Sequence, residues 1–467
     1  MKRTVFLPLL GISFIATLLI DTTYFNEVGA WVMLAIGFVL LLSFVFYKDQ
    51  NDVIARIYFR PIHLFLFSFA VVAFQSPIDI LLGYNMDYYL VGPLKFMPEA
   101  VKISLLGLIA FLSGYIINKR KKCVSANVEQ KVLYASTTPY IVLMSLTLII
   151  IYVFIPKNLL YGGYASAALA ESGYKYIMTV CTVFYCAFFI QYAINTRLSN
   201  RGEGWSIFQF VKDIGWWQNI NMFIYILLIL NVGDRGPLID IIVLYYIVYI
   251  AVTGICPSKK KLLVGFICGV LAMAFLGYTK NFRDGNSIFE RIETTWEANP
   301  YEDLQESILP TTYELSLSYR CLSYSIADIE ANGNYGYGKY QLTYIISVIP
   351  FVSKLVDLSN VTSTYISHLI QGDFLTYGNG TSVIADFYLD WGVIGVIICM
   401  FLFGYCVKWF DLILFAKSSS SLFLYCAAFY ISVHFISIPR AFLLIYLRHI
   451  VWLTVILYAH QRISNRT

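Results

Sequence analysis

The groups best suited to chemistry in this chain are arginines near the ends of apolar runs and one pair of carboxylates. Arg440, Leu444 and Arg448 recur every fourth residue, which would put both arginines on roughly one face of a single helix. At a 1.5 Å rise per residue, Arg448 would lie about 12 Å deeper in the apolar run than Arg440. A charge at the bilayer centre costs about 2.5–3.5 kcal/mol on insertion scales, so such an arginine needs a partner or a task. The partner reading is an ion pair with Asp240 or Asp79; the task reading is an anionic ligand. Arg235 stands in the tight turn Gly233-Asp234-Arg235-Gly236-Pro237. Flanking glycine there lets backbone and guanidinium approach an anion together, and the alternative is contact with lipid headgroups. Arg283, in Asn281-Phe282-Arg283-Asp284-Gly285, either joins such a site or snorkels to the membrane surface. Arg320, flanked by Tyr319 and Cys321, faces either inward or solvent.

Ser382, Asp386 and Asp390 are spaced by four and would line one helical face. Carboxylates one turn apart repel, which suits a general acid or base, or a structural acid paired with arginine. His368 could serve as a base near neutral pH or simply be a surface residue. The sequence contains no H-E-x-x-H, Walker A, G-x-S-x-G or metal- and nucleotide-sugar-binding D-x-D pattern, so a nucleotide-driven pump or nucleotide-sugar enzyme is disfavoured. Neither a metal nor another cofactor is expected, and any donor must already be at the membrane.

The elements that position these residues are read from hydropathy. Charged residues make up 13% of the chain and mean hydropathy is +0.69, against about 25% charged for a soluble domain. The chain is therefore an integral membrane protein. The net charge of +5 is spread over short runs between apolar segments, which is no nucleic-acid footprint. Apolar runs of about 17–25 residues mark spans. The twelve are Thr4–Ile20, Val28–Tyr47, Pro61–Leu82, Pro98–Ile117, Pro139–Ile155, Tyr174–Ile194, Asn219–Val232, Pro237–Ile255, Leu262–Thr279, Trp391–Phe410, Leu422–Ile438 and Ala441–Ala459. The basic, apolar N-terminus reads as an uncleaved first span, since no A-x-A-like cleavage site follows it.

Runs such as Lys119–Lys122 and Lys259–Lys261 fall on the side of both termini, so the positive-inside rule gives an N-in/C-in arrangement. The fold expected is an all-α polytopic membrane protein, with spans 1–9 over residues 1–279, an outward loop over 280–390, and spans 10–12 over 391–467. Within the loop, Asn286–Ala298 has the spacing of an amphipathic helix. Pro310–Ala331 reads as a second helix ended by Gly333. Gly336-Tyr337-Gly338 breaks the chain, and Tyr340–Val356 is a surface or re-entrant segment. Asn379–Ser382 is a turn feeding the helix that carries Asp386 and Asp390 directly into span ten. Of nine scattered cysteines only Cys321 lies in the loop, so no disulfide framework is expected.

Gly-Asp-Arg-Gly-Pro at 233–237, and Gly-Asn-Gly-Thr-Ser-Val-Ile-Ala-Asp-Phe-Tyr-Leu-Asp-Trp-Gly-Val-Ile-Gly at 378–395, resemble the O-antigen polymerases, the Wzy-type oligosaccharide repeat-unit polymerases. Family members often carry Glu where this chain has Asp386. The resemblance implies a GT-C-like, metal-independent glycosyltransferase in the bacterial inner membrane. Undecaprenyl-diphosphate-linked repeat units would be its substrate, at the periplasmic face, with membrane lipid around it and a chain-length regulator protein as a further partner. Arg235, Arg283, Arg440 and Arg448 would then hold the diphosphate. Asp386, His368 and Arg320 would serve the catalytic step. Tyr313, Tyr319, Tyr324, Tyr337 and Tyr377 are available for stacking on sugars.

Two rival classes share parts of this pattern. A lipid-linked oligosaccharide flippase has a similar number of spans, but would show pseudo-symmetry between halves and need no long outward loop. An O-antigen ligase would share the loop and the arginines.

Overall fold

The computed structural model describes residues 3–23, 25–47, 57, 59–84, 92–118, 134–154, 172–199, 201–232, 236–258, 260–261, 264–265, 307–309, 312–349, 352, 361–372, 380–415 and 421–465. Every regular element among them is helical. In chain order the helices are α1 (Arg3–Leu19), α2 (Glu27–Val45), α3 (Pro61–Leu81), α4 (Met97–Ile117), α5 (Thr138–Phe154), α6 (Ser172–Leu198), α7 (Ile207–Ile214), α8 (Trp216–Val232) and α9 (Gly236–Thr253). There follow α10 (Tyr313–Ser316), α11 (Tyr319–Asn332), α12 (Lys339–Ile346), α13 (Thr362–Gln371), α14 (Val383–Phe415), α15 (Leu422–Val433) and α16 (Ile445–Ser464). Six are long and apolar enough to cross a membrane: α2, α3, α4, α6, α9 and α14; α1, α5, α8 and α15 are apolar but shorter. Large apolar side chains such as Ile12, Ile15, Leu146 and Tyr152 are exposed along them, as lipid-facing helices require. The expected ninth span, Leu262–Thr279, and the expected loop helix Asn286–Ala298 lie outside the described residues.

The chain forms two compact units. One comprises residues 1–126, 301–418 and 434–448, and the other comprises 127–300, 419–433 and 449–467. The second unit is held by polar contacts between its apolar helices. Gln461 on α16 donates to Gln191 on α6 at 2.9 Å, and His460 Nδ1 lies 2.9 Å from the Tyr140 hydroxyl on α5. Within a membrane such contacts stand in for the missing hydrophobic drive between helices.

In the first unit, α4 and α14 are packed backbone on backbone. A Cβ at Gly114 would come within 2.0 Å of the Phe401 carbonyl oxygen, and one at Gly404 within 2.0 Å of the Phe111 carbonyl oxygen. Only glycine allows that approach. Farther along this seam, buried Arg60 donates to the Tyr115 hydroxyl at 2.8 Å, which donates to Asp411 at 2.7 Å.

Helix α3 contains a one-turn bulge, Val71–Gln75, just before Ser76 and Pro77. Proline lacks an N–H, so the regular helical ladder cannot run through this point. The bulge lies beside the polar residues that hold the loop. Asp79 accepts from the Ser307 hydroxyl at 2.6 Å and from the Ile308 N–H at 2.9 Å. Gln75 donates to the Leu309 carbonyl at 3.0 Å and accepts from Thr312 at 2.6 Å. Asp79 therefore holds the loop, which gives it a different use from the ion pair with Arg448 weighed above.

The loop helices follow much of the sequence pattern. Gly333 ends α11 in the left-handed conformation (φ 68°) and donates to the Ile329 carbonyl. The expected continuous helix from Pro310 is instead two pieces, α10 and α11. Span ten also differs from expectation. Within the 33 residues of α14, Gly392 has φ 63° and ψ −161°, which breaks the helix between a short leading segment and the apolar span. At 1.5 Å per residue, 33 residues would run about 50 Å, well beyond a bilayer core of about 30 Å.

Candidate active site

The break at Gly392 organises the site. It leaves the carbonyls of Leu389 and Asp390 without their usual helical donors. The N–H groups of Gly336 and Tyr337 fill those places at 2.8 and 2.9 Å. The Asp390 carboxylate continues the arrangement, accepting from the backbone N–H groups of Gly338 (3.2 Å), Tyr340 (3.2 Å) and Gln341 (2.9 Å). These are the orphan donors at the start of α12, so Asp390 is a cap supplied from another helix. The glycines of Gly336-Tyr337-Gly338 are required by this contact. A Cβ on Gly336 would meet Asp390 Oδ1 at 2.4 Å, and one on Gly338 would meet the Trp391 ring at 2.6 Å.

Asp386, one turn earlier, is not spent in this way. Ser382 starts its helix, with Oγ accepting from the Ala385 N–H at 3.1 Å. The Asp386 side chain is fully enclosed (0% exposed). Its Oδ1 accepts from Thr362 Oγ1 at 2.5 Å, while among the described residues its buried Oδ2 has no hydrogen-bond partner. Leaving a buried carboxylate oxygen unpaired is costly, and such groups are concentrated at functional sites. The two carboxylates of one helical face thus have different roles, cap and unspent acceptor.

Around Asp386 stand α13, through Thr362, and α12, through Tyr344, whose hydroxyl lies 3.4 Å from Thr362 Oγ1. The Tyr344 ring stacks on Phe442, with centroids 3.4 Å apart and planes inclined by 17°. Phe442 belongs to the segment that carries Arg440. That segment leaves α15 through a turn in which Phe435 packs against Phe65 at 6.0 Å, and the Ile436 carbonyl accepts from Ser68 at 2.6 Å.

Arg440 ends the 3-10 turn Ile438–Arg440 and is exposed. Its carbonyl lies against Gly380, 3.6 Å from where a Cβ would stand, just before Ser382. Its charge and that of Arg320 both act on the buried Cys321 thiol, pulling it down against the burial that pushes it up to about 11. Arg320 and Arg440 therefore both lie around Cys321, and Arg320 is buried rather than solvent-facing.

Other expectations are corrected. Arg440 and Arg448 do not share a helical face. Pro439 lies in the 3-10 turn, Ala441 is extended (φ −134°, ψ 164°), and α16 begins only at Ile445. Arg448 is half-buried in the first turn of α16. His368 faces solvent near the end of α13, with Nδ1 3.1 Å from the Gly372 carbonyl. It is six residues, about 9 Å and about a third of a turn, away from Thr362, and nothing brings it to Asp386. Tyr319 is buried and donates to the Met97 carbonyl at 3.1 Å, so its face is not open to a sugar. Tyr337 is 72% exposed and remains available. Arg235, Arg283 and Tyr377 lie outside the described residues. Among the described residues, no group of three or more His, Cys, Asp or Glu side chains could hold a metal ion. Thr362, Tyr344 and Phe442 were not singled out from the sequence; they are separated from Asp386 by tens of residues, and hydropathy carries no signal for such contacts.

Apolar helices of membrane length, with an enclosed carboxylate on one of them, define a multi-pass membrane protein. The family model for the O-antigen polysaccharide polymerase Wzy matches residues 3–460, nearly the whole chain, so the chain belongs to that family. No curated protein and no solved structure matches it. Membership makes it a polymerase of oligosaccharide repeat units.

Proposed function

We propose that the chain polymerises undecaprenyl-diphosphate-linked repeat units at the periplasmic face of the bacterial inner membrane, as a metal-independent glycosyltransferase with about twelve spans and both termini inside. A hydroxyl at the non-reducing end of one lipid-linked unit attacks the anomeric carbon of the growing glycan. The bond from that carbon to the lipid diphosphate breaks, the diphosphate departs with the electron pair, and the hydroxyl proton passes to Asp386. Arg440 and Arg448 supply permanent positive charge to the departing diphosphate. Guanidinium groups do this in a fork geometry that suits phosphate oxygens. Arg320 adds to that positive field. Because Asp386 is enclosed, the acceptor hydroxyl reaches it only once the site opens.

The observation that carries this reading is the buried, unpartnered Oδ2 of Asp386 beside the Arg440 segment. The test is complementation of a polymerase-null strain. Arg440→Ala and Arg448→Ala should each collapse the long-chain glycan ladder to single repeat units at normal protein level. A deletion should leave one unit on the surface, where loss of a flippase would leave none. Intact ladders from both arginine variants would show the assignment to be wrong.

A further inference from the structure

We infer that Thr362 is a positioning residue for the polymerising step: its hydroxyl fixes the Asp386 carboxylate so that Oδ2 faces the incoming acceptor, and Tyr344 supports it. This inference rests on the reading of Asp386 as the proton acceptor.

Thr362 is the first residue of α13 and is fully buried. Its Oγ1 carries one hydrogen. At 2.5 Å from Asp386 Oδ1 that hydrogen is committed to the carboxylate, which makes it a charge-assisted bond of the stronger class. The Tyr344 hydroxyl lies 3.4 Å from the same Oγ1, a long contact beside the committed bond. A threonine also has a restricted χ1, because two heavy atoms branch at Cβ. The Tyr344 ring is held in turn by its stack on Phe442.

The consequence is orientation. A carboxylate with one oxygen tied keeps a fixed plane, so the other oxygen points at one place. A misplacement of about 1 Å can cost on the order of a hundredfold in rate. A residue that only docked α13 onto α14 would affect folding or substrate binding instead.

The experiment uses full-length protein in proteoliposomes, with lipid-linked single repeat units extracted from a polymerase-null strain. Asp386→Asn, Thr362→Ser and Thr362→Val are compared for kcat, KM and Tm. Thr362→Ser keeps the hydroxyl and should stay within about threefold of the parent. Thr362→Val keeps the shape but strips a buried carboxylate of its donor, and should lose about tenfold or more in kcat, with KM within about twofold and a drop of a few degrees in Tm. If Asp386→Asn is inactive while Thr362→Val keeps the kcat of Thr362→Ser, the inference falls and the reading of Asp386 stands. A Thr362→Val defect confined to KM or Tm also overturns it, since that is the behaviour of a docking contact. An active Asp386→Asn protein would bring down both.

Discussion

At the scale of single residues, the site separates groups that look alike in the sequence. Asp386 and Asp390 are one turn apart, yet three backbone N–H groups occupy Asp390 and one hydroxyl touches Asp386. The spacing identified the shared face, but the cap came from Gly338–Gln341, some fifty residues earlier in the chain. Cys321 gives a direct check on the local field. Burial outweighs the two arginines and pushes the thiol up to about 11. At pH 7.5 very little of it would be thiolate, the form that reacts. In folded protein Cys321 should resist alkylation near neutral pH and become reactive only as pH rises toward that value. Rapid alkylation at pH 7.5, followed by mass spectrometry, would contradict the described burial.

At the scale of elements, hydropathy was a good guide wherever a helix is apolar and long enough to cross a bilayer. The expected runs Val28–Tyr47, Pro61–Leu82 and Pro98–Ile117 correspond closely to α2, α3 and α4. Expectation failed where a local break overrides periodicity. Arg440 and Arg448 have helical spacing, but Pro439 and extended Ala441 interrupt the helix between α15 and α16. Gly392 interrupts α14 in the same way, and the chain uses the freed carbonyls to seat Gly336 and Tyr337. Asp390→Ala removes the acceptor for three N–H groups at the start of α12. Hydrogen bonds to charged groups contribute about 1.5–3 kcal/mol each and are not additive. The variant should therefore lose several degrees in Tm and expose α12 to limited proteolysis, with Asp390→Asn intermediate. Unchanged Tm and cleavage pattern would show that the cap does not hold the helix.

At the scale of the whole molecule, the activity follows from the family to which nearly the whole chain belongs. The arginines stood out in the sequence because membrane insertion makes charges rare and therefore conspicuous, but the shared face expected for Arg440 and Arg448 did not survive the break between α15 and α16. The partners of Asp386 did not stand out, because Thr362, Tyr344 and Phe442 have ordinary residue types and meet only in the fold. Orientation is tested by labelling. A cysteine at exposed Asn334 should react with a membrane-impermeant maleimide in intact spheroplasts, above the background of the parent chain, and labelling only after permeabilisation would invert the proposed topology. The central claim is that Asp386 accepts the proton during polymerisation. Its most direct measurement is the surface glycan ladder of a polymerase-null strain carrying Asp386→Asn, with protein level matched to the parent. The account predicts single repeat units without a ladder; a ladder of parental length and intensity would contradict it.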